Sequence, residues 1–156
     1  MKVSGKCFTA LLVIGLAIIS AVHAQEKKIK RADLPPAVQK AVGEQSKGAT
    51  IRGFSTEIDR GKRIYEAELS VNGHEKDISM DEQGNVVEIE EEIEMSSLPA
   101  AVKDGLMKAA GTGTIGKVES LTKAGKLVAY EAVVKTGTKR SEVQVGPDGR
   151  KLAHPE

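Results

Sequence analysis

The chain has 156 residues, 40% hydrophobic, 29% charged and only 3% aromatic, with a formal net charge of +1. A near-neutral total excludes a generally basic surface of the kind that gathers nucleic acid. One cysteine, Cys7, excludes a disulfide framework and a thiolate metal centre.

Residues 1–24 have the layout of a secretory signal peptide. Lys2 and Lys6 supply a positive start, Phe8 to Ile19 is an apolar run broken only by Thr9 and Gly15, and Val22-His23-Ala24 places small residues at −3 and −1. The run is shorter than the roughly 20 residues a membrane span requires. The mature chain is therefore expected to start at Gln25, without a membrane span, and to reside in the periplasm or be secreted.

Charge is unevenly distributed beyond that point. An N-terminal segment, 25–33, opens with a net +3 over residues 25–32; residues 33–95 carry seven basic and fifteen acidic side chains, and residues 96–156 ten basic and six acidic. The middle of the chain is thus strongly acidic while its ends are basic.

Internal similarity organises the rest. Leu34-Pro35-Pro36-Ala37-Val38 matches Leu98-Pro99-Ala100-Ala101-Val102, Tyr65-Glu66-Ala67 matches Tyr130-Glu131-Ala132, and Gly84 matches Gly149. The spacing predicts two tandem units, 34–95 and 96–156, in an α+β architecture. Each unit is one helix packed on an antiparallel sheet of three to four strands. Helical spacing appears at Leu34, Val38, Ala41 and Val42, and again at Leu98, Val102, Leu106 and Ala109. Asp33 and Ser97 stand near the N-cap positions.

Strand patterns follow each helix. Ile51 to Asp59 is the first; Tyr65, Ala67, Leu69 and Val71 then alternate with polar residues, and Asn72-Gly73 is a hairpin signal. Ile78 and Met80 mark a third strand and Val87, Ile89 and Ile93 a fourth. The second unit repeats this through Val145 and ends in a short strand around Leu152. Tyr65 and Tyr130 are expected to be buried at matching positions.

Residues 111–116, GTGTIG, match G-x-G-x-x-G letter for letter. A dinucleotide loop must follow a strand and open a helix, so that helix N–H groups face the phosphates. This one follows a helix and leads into a strand, so it is read as a connector. His74 and His154 are too few for a zinc site. Asp81-Glu82-Gln83-Gly84-Asn85 lacks calcium-loop spacing and reads as a tight turn. No serine elbow or catalytic triad pattern is visible. No catalytic residue, cofactor or metal ligand is assigned.

One pattern carries a functional reading. When the apolar residues of the first unit's strands point to the helix, Glu66, Glu68, Asp77, Glu88 and Glu90 point to the other face. Like charges opposed across strands are unfavourable, and a basic partner or a cation would relieve them. These five residues are the candidate partner-binding face.

At Tyr65-Glu66-Ala67-Glu68-Leu69, Asn72-Gly73, Ile78-Ser79-Met80-Asp81 and Gly84-Asn85-Val86-Val87, with Leu98-Pro99, Tyr130-Glu131-Ala132 and Pro147-Asp148-Gly149 in the second unit, the chain resembles a PepSY-like domain. The resemblance implies a helix against an antiparallel sheet, similarity to β-lactamase-inhibitor-like folds, and a role restraining a peptidase or another envelope protein. It brings no catalytic residue set. The expected function is an exported, non-enzymatic binding module, an inhibitor or modulator of an exported protein with a basic surface. The alternative is a small-ligand or cation-binding scaffold using the acidic face. With so few aromatic anchors, tight inhibition of the β-lactamase kind is disfavoured.

The intact mass of the exported protein is expected to correspond to a chain starting at Gln25. A mass that retains residues 1–24 would refute the cleavage reading.

Overall fold

The computed structural model describes residues 26–156; the signal-peptide reading falls on residues 1–24, outside them. Within this range the period-two runs dominate. They give β1 (Lys27–Ile29), β2 (Thr50–Asp59), β3 (Lys62–Val71), β4 (His74–Asp81), β5 (Val86–Glu92), β6 (Thr114–Lys123), β7 (Lys126–Thr136) and β8 (Lys139–Val145). Two helices interrupt them, α1 (Pro36–Gln45) and α2 (Ala100–Ala110), each preceded by a short 3₁₀ turn.

All eight strands form one antiparallel sheet in chain order. This overturns the expected α+β architecture of two tandem helix-on-sheet units: the chain is mostly β, with a single sheet and only two short helices. The physical reason lies at β5. A strand left at an edge carries unpaired N–H and C=O groups. Instead of ending a sheet, β5 satisfies its second edge by pairing with β6, from Glu88 opposite Lys123 to Glu92 opposite Glu119.

Hairpin chemistry explains the in-order topology. Asn72 and Gly73 take φ of 53° and 91°, both positive, as a type I′ turn requires. Arg60-Gly61 and Ala124-Gly125 turn in the same way. Asp33 does not cap α1 as expected; its carboxylate accepts the Lys30 N–H at 2.9 Å, closing the 3₁₀ turn, and Pro35 occupies the N-cap. Pro99 does the same for α2. The short strand expected around Leu152 is reduced to a single bridge between Val145 and Lys151. GTGTIG runs from the end of α2 into β6, and its Gly111 and Gly113 N–H groups donate back to Met107 and Ala110.

One face of the sheet is apolar and lies under the helices. Leu34, Val38 and Val42 pack with Phe54, Tyr65, Ala67, Leu69, Ile78 and Met80. Leu98, Val102 and Leu106 pack with Val118, Tyr130, Ala132 and Val145 in a second cluster. Tyr65 and Tyr130 are each 8% exposed, one in each cluster.

Turns press against the helices at two points where no side chain fits. A Cβ on Gly84, at φ +79°, would stand 2.6 Å from the Ala37 carbonyl oxygen in α1. A Cβ on Gly149, at φ +78°, would collide with the Ala101 carbonyl in α2, and one on Gly105 would collide with Gly149 itself. Gly149→Ala is therefore expected to lower stability by about 2–4 kcal/mol, through backbone strain and displacement of the turn. Gly137→Ala, at φ +62° in open space, should cost only about 1 kcal/mol. Urea melts of the two variants measure the difference; equal losses would mean that the turn does not bear on α2.

Candidate functional site

Because side chains alternate across a strand, burying Tyr65, Ala67, Leu69, Ile78, Met80 and Ile89 under α1 sends their neighbours to the other face. Glu66, Glu68, Asp77, Glu88 and Glu90 all lie there. Glu68 stands opposite Asp77, and Asp77 opposite Glu90, so three carboxylates form a row across β3, β4 and β5. Glu66 and Glu88 flank Ser79 in the next row. Because β5 pairs with β6, the face continues into strands that the sequence reading did not include. Glu119 on β6 faces Glu92 on one side and Glu131 on the other, and Glu131 faces Gln144 on β8.

The face is hollow. Glu26, just ahead of β1 at one edge, lines a cleft of about 690 Å3 with Glu66, Glu68 and Asp77, and also one of about 820 Å3 with Glu90, Glu131 and Glu142. A residue at one edge can meet β8 at the other only if the sheet coils. Right-handed twist supplies that coiling, and register shifts in β2, β4 and β6 accompany it.

Three lysines answer part of the charge, from β1 and β6. Lys28 on β1 pairs with Glu26 at 3.0 Å and with Glu68. Lys117 on β6 lies 2.8 Å from both Glu75 and Glu119, and Lys123 lies 3.1 Å from Glu88. Glu119 is only 6% exposed, so its lysine partner is needed to offset desolvation. Among the described residues no ion pair reaches Glu66, Asp77, Glu90 or Glu131.

Their proton affinities follow from that. Burial pushes Glu66 up to about 7, with Asp77, Glu26 and Glu68 adding repulsion. Burial pushes Asp77 up to about 6, Lys117 opposing and Glu119 assisting. Glu90 rises to about 8 through burial, a carboxyl–carboxylate hydrogen bond with Glu88, and the charges of Glu88, Glu119 and Glu131. Burial also raises Glu131. Glu75 moves the other way because Lys117 donates to it.

Two groups of carboxylates have oxygens within 4.8 Å of one another, Glu26 with Glu66 and Glu68, and Asp77 with Glu90 and Glu119. All-oxygen sets of this kind suit hard cations. The other residues weighed in the sequence have structural explanations. Asp81 accepts the N–H groups of Gln83 and Asn85 and the Asn85 side chain, each at 2.9 Å, so it closes a turn. His74 lies 4.0 Å from Glu92, and His154 is exposed near the end of the chain.

Solved structures have a similar fold. The chain is 24% identical to a BLIP-like protein from Bacteroides fragilis, with a TM-score of 0.58, covering 76% of this chain and 83% of that one. A DUF2874 family protein from Bacteroides ovatus gives 17% and 0.61, covering 77% and 86%. A Bacteroides eggerthii protein assigned to the periplasm gives 18% and 0.64, covering 76% and 86%. The fold is BLIP-like. No family model matches the sequence, and no curated protein does. No helix among the described residues is long and apolar enough to cross a membrane.

The raised carboxyls have a consequence for stability. Native Glu66, Asp77 and Glu90 bind protons more tightly than ordinary groups at 4.5, 3.8 and 4.5. The native state therefore holds more protons between about pH 4 and 8, and stability falls as pH rises through that window. Asp81 and Glu75, lowered by their partners, lose their contributions only at more acid pH. The melting temperature is expected to be higher at pH 5.5 than at pH 8.5. Glu90→Gln should raise it at pH 8.5 and narrow the difference; a flat profile in both proteins would contradict the burial of these groups.

Proposed function

We propose that the chain is an exported, non-enzymatic binding module that receives a basic protein surface in the hollow acidic face of its sheet, as inhibitor or modulator of a peptidase or other envelope protein. One observation carries the reading. Glu66, Asp77, Glu90 and Glu131 are partly buried, crowd other carboxylates and make no direct ion pair among the described residues, with only Lys28 near Glu66 and Lys117 near Asp77 opposing their repulsion. The molecule bears that repulsion alone, and a cationic partner would relieve it.

Export rests on the signal-like segment at residues 1–24 and agrees with the compartment assigned to the Bacteroides eggerthii relative. The BLIP-like fold makes an inhibitory role reasonable, and the PepSY-like strings from Tyr65 to Leu69 and from Ile78 to Asp81 point the same way. A second reading, a cation-binding scaffold, is favoured by the two close carboxylate groups. Calcium-dependent melting that vanishes in Asp77→Asn would support it.

Capture from an exported fraction tests the first reading. Immobilised native protein is expected to retain basic proteins whose retention falls as salt rises, because screening weakens such steering. A variant combining Glu66→Gln, Asp77→Asn and Glu90→Gln should lose them while remaining folded. Equal retention by both proteins would sink the proposal.

A further inference from the structure

The acidic face already shows what it accepts. Each of its two bridging lysines sets an ammonium group between two carboxylates: Lys117 between Glu75 and Glu119, and Lys28 between Glu26 and Glu68. The two lysines differ in how they are held. Lys117 belongs to a ten-residue strand paired on both sides and is itself largely covered. Lys28 belongs to a three-residue edge strand, and its side chain is 67% exposed.

We propose that β1 is a displaceable strap, and that the Lys28 ammonium occupies the position beside Glu66 and Glu68 where a partner's lysine would bind. This rests on the reading of the acidic face as a binding surface and adds its regulation. β1 meets β2 at only three positions, Lys27 to Thr56, Lys28 to Ser55 and Ile29 to Phe54. Of the three β1 residues only Ile29 packs against the core. An exposed ion pair holds little free energy of its own, so few interactions keep Lys28 in place. The charged and titratable groups facing it come from every neighbouring strand: Glu26 beside it, Glu66 and Glu68 on β3, Asp77 on β4 and Arg52 on β2. A segment bearing its own lysine therefore competes with Lys28 for Glu68 and for Glu66, which makes no direct ion pair among the described residues.

Lys27 provides the control. It is on the same strand with the same charge, but its partner Thr56 faces the core side, where its hydroxyl donates to the Ile64 carbonyl at 2.8 Å. Lys28→Met and Lys27→Met change the net charge equally, and only the first removes the plug.

The experiment titrates hexalysine into the mature protein by calorimetry at pH 8 and low ionic strength, with melting curves to confirm that both variants remain folded. Affinity for a site available only part of the time is reduced by the fraction available, so Lys28→Met is expected to tighten binding at least about five-fold, and Lys27→Met less than about two-fold. Equal gains in the two variants, or none in Lys28→Met, would overturn the strap while leaving the acidic face as a binding surface. Failure of the native protein and both variants to bind hexalysine would overturn both.

Discussion

The pairing of β5 with β6 is the joint on which the rest of the structure depends. Five residue pairs join them, from Glu88–Lys123 to Glu92–Glu119, and Ile93 extends the contact by donating to the Val118 carbonyl at 2.9 Å. Without this ladder the strands before and after α2 would each end in an open edge. With it, two hydrophobic clusters lie along the same face of one sheet, and the carboxylates on the other face run on from β3 to β8.

Those two consequences pull in opposite directions energetically. The apolar face gains from each side chain it hides beneath a helix, at about 25 cal/mol per Å2 of apolar surface removed from water. The same alternation sends a glutamate or aspartate to the hollow face for almost every core residue on β3 to β5. Coiling then partly desolvates them, which a flat sheet open to water would not do. The raised proton affinities of Glu66, Asp77 and Glu90 express that conflict. Stability is sacrificed where a purely structural sheet would carry threonine or alternating charge.

Much of this was legible from residues. Period-two alternation placed Glu66, Glu68, Asp77, Glu88 and Glu90 on one face, and the Asn72-Gly73 signal located a hairpin. Strand order around GTGTIG removed a false nucleotide motif. Sequence failed at the joint. Internal similarity marks where elements recur, but not whether a strand such as Val86–Glu92 ends one sheet or continues into the next, because that depends on pairing between residues 27 to 35 apart. Glu119 was missed for that reason, whereas Glu131, the repeat equivalent of Glu66, was within reach of the internal similarity. The alternation of both with Val118, Tyr130 and Ala132 was visible, yet nothing local places Glu119 beside Glu92. The N-cap assignments of Asp33 and Ser97 failed because Leu-Pro follows each, and the residue before a proline is driven out of helical conformation.

The distribution of cations on the hollow face bears on whether it is a solubility device or the binding surface proposed above. A face that only needed solvation could mix its charges, and one position shows how little that would take. Ser79 stands between Glu66 and Glu88 in the register, so a lysine there would lie within reach of two carboxylates. The chain instead places its cations on other strands, with Lys28 on β1, Arg52 on β2, Lys117 and Lys123 on β6 and Arg140 on β8, and leaves β4 and β5 without one on this face. Cationic margins around an anionic centre also orient an incoming partner, since a basic group is drawn to the middle and repelled at the sides. That arrangement leaves Asp77 and Glu90, at the centre, without a direct ion pair among the described residues, which is what the proposed binding of a positive charge needs.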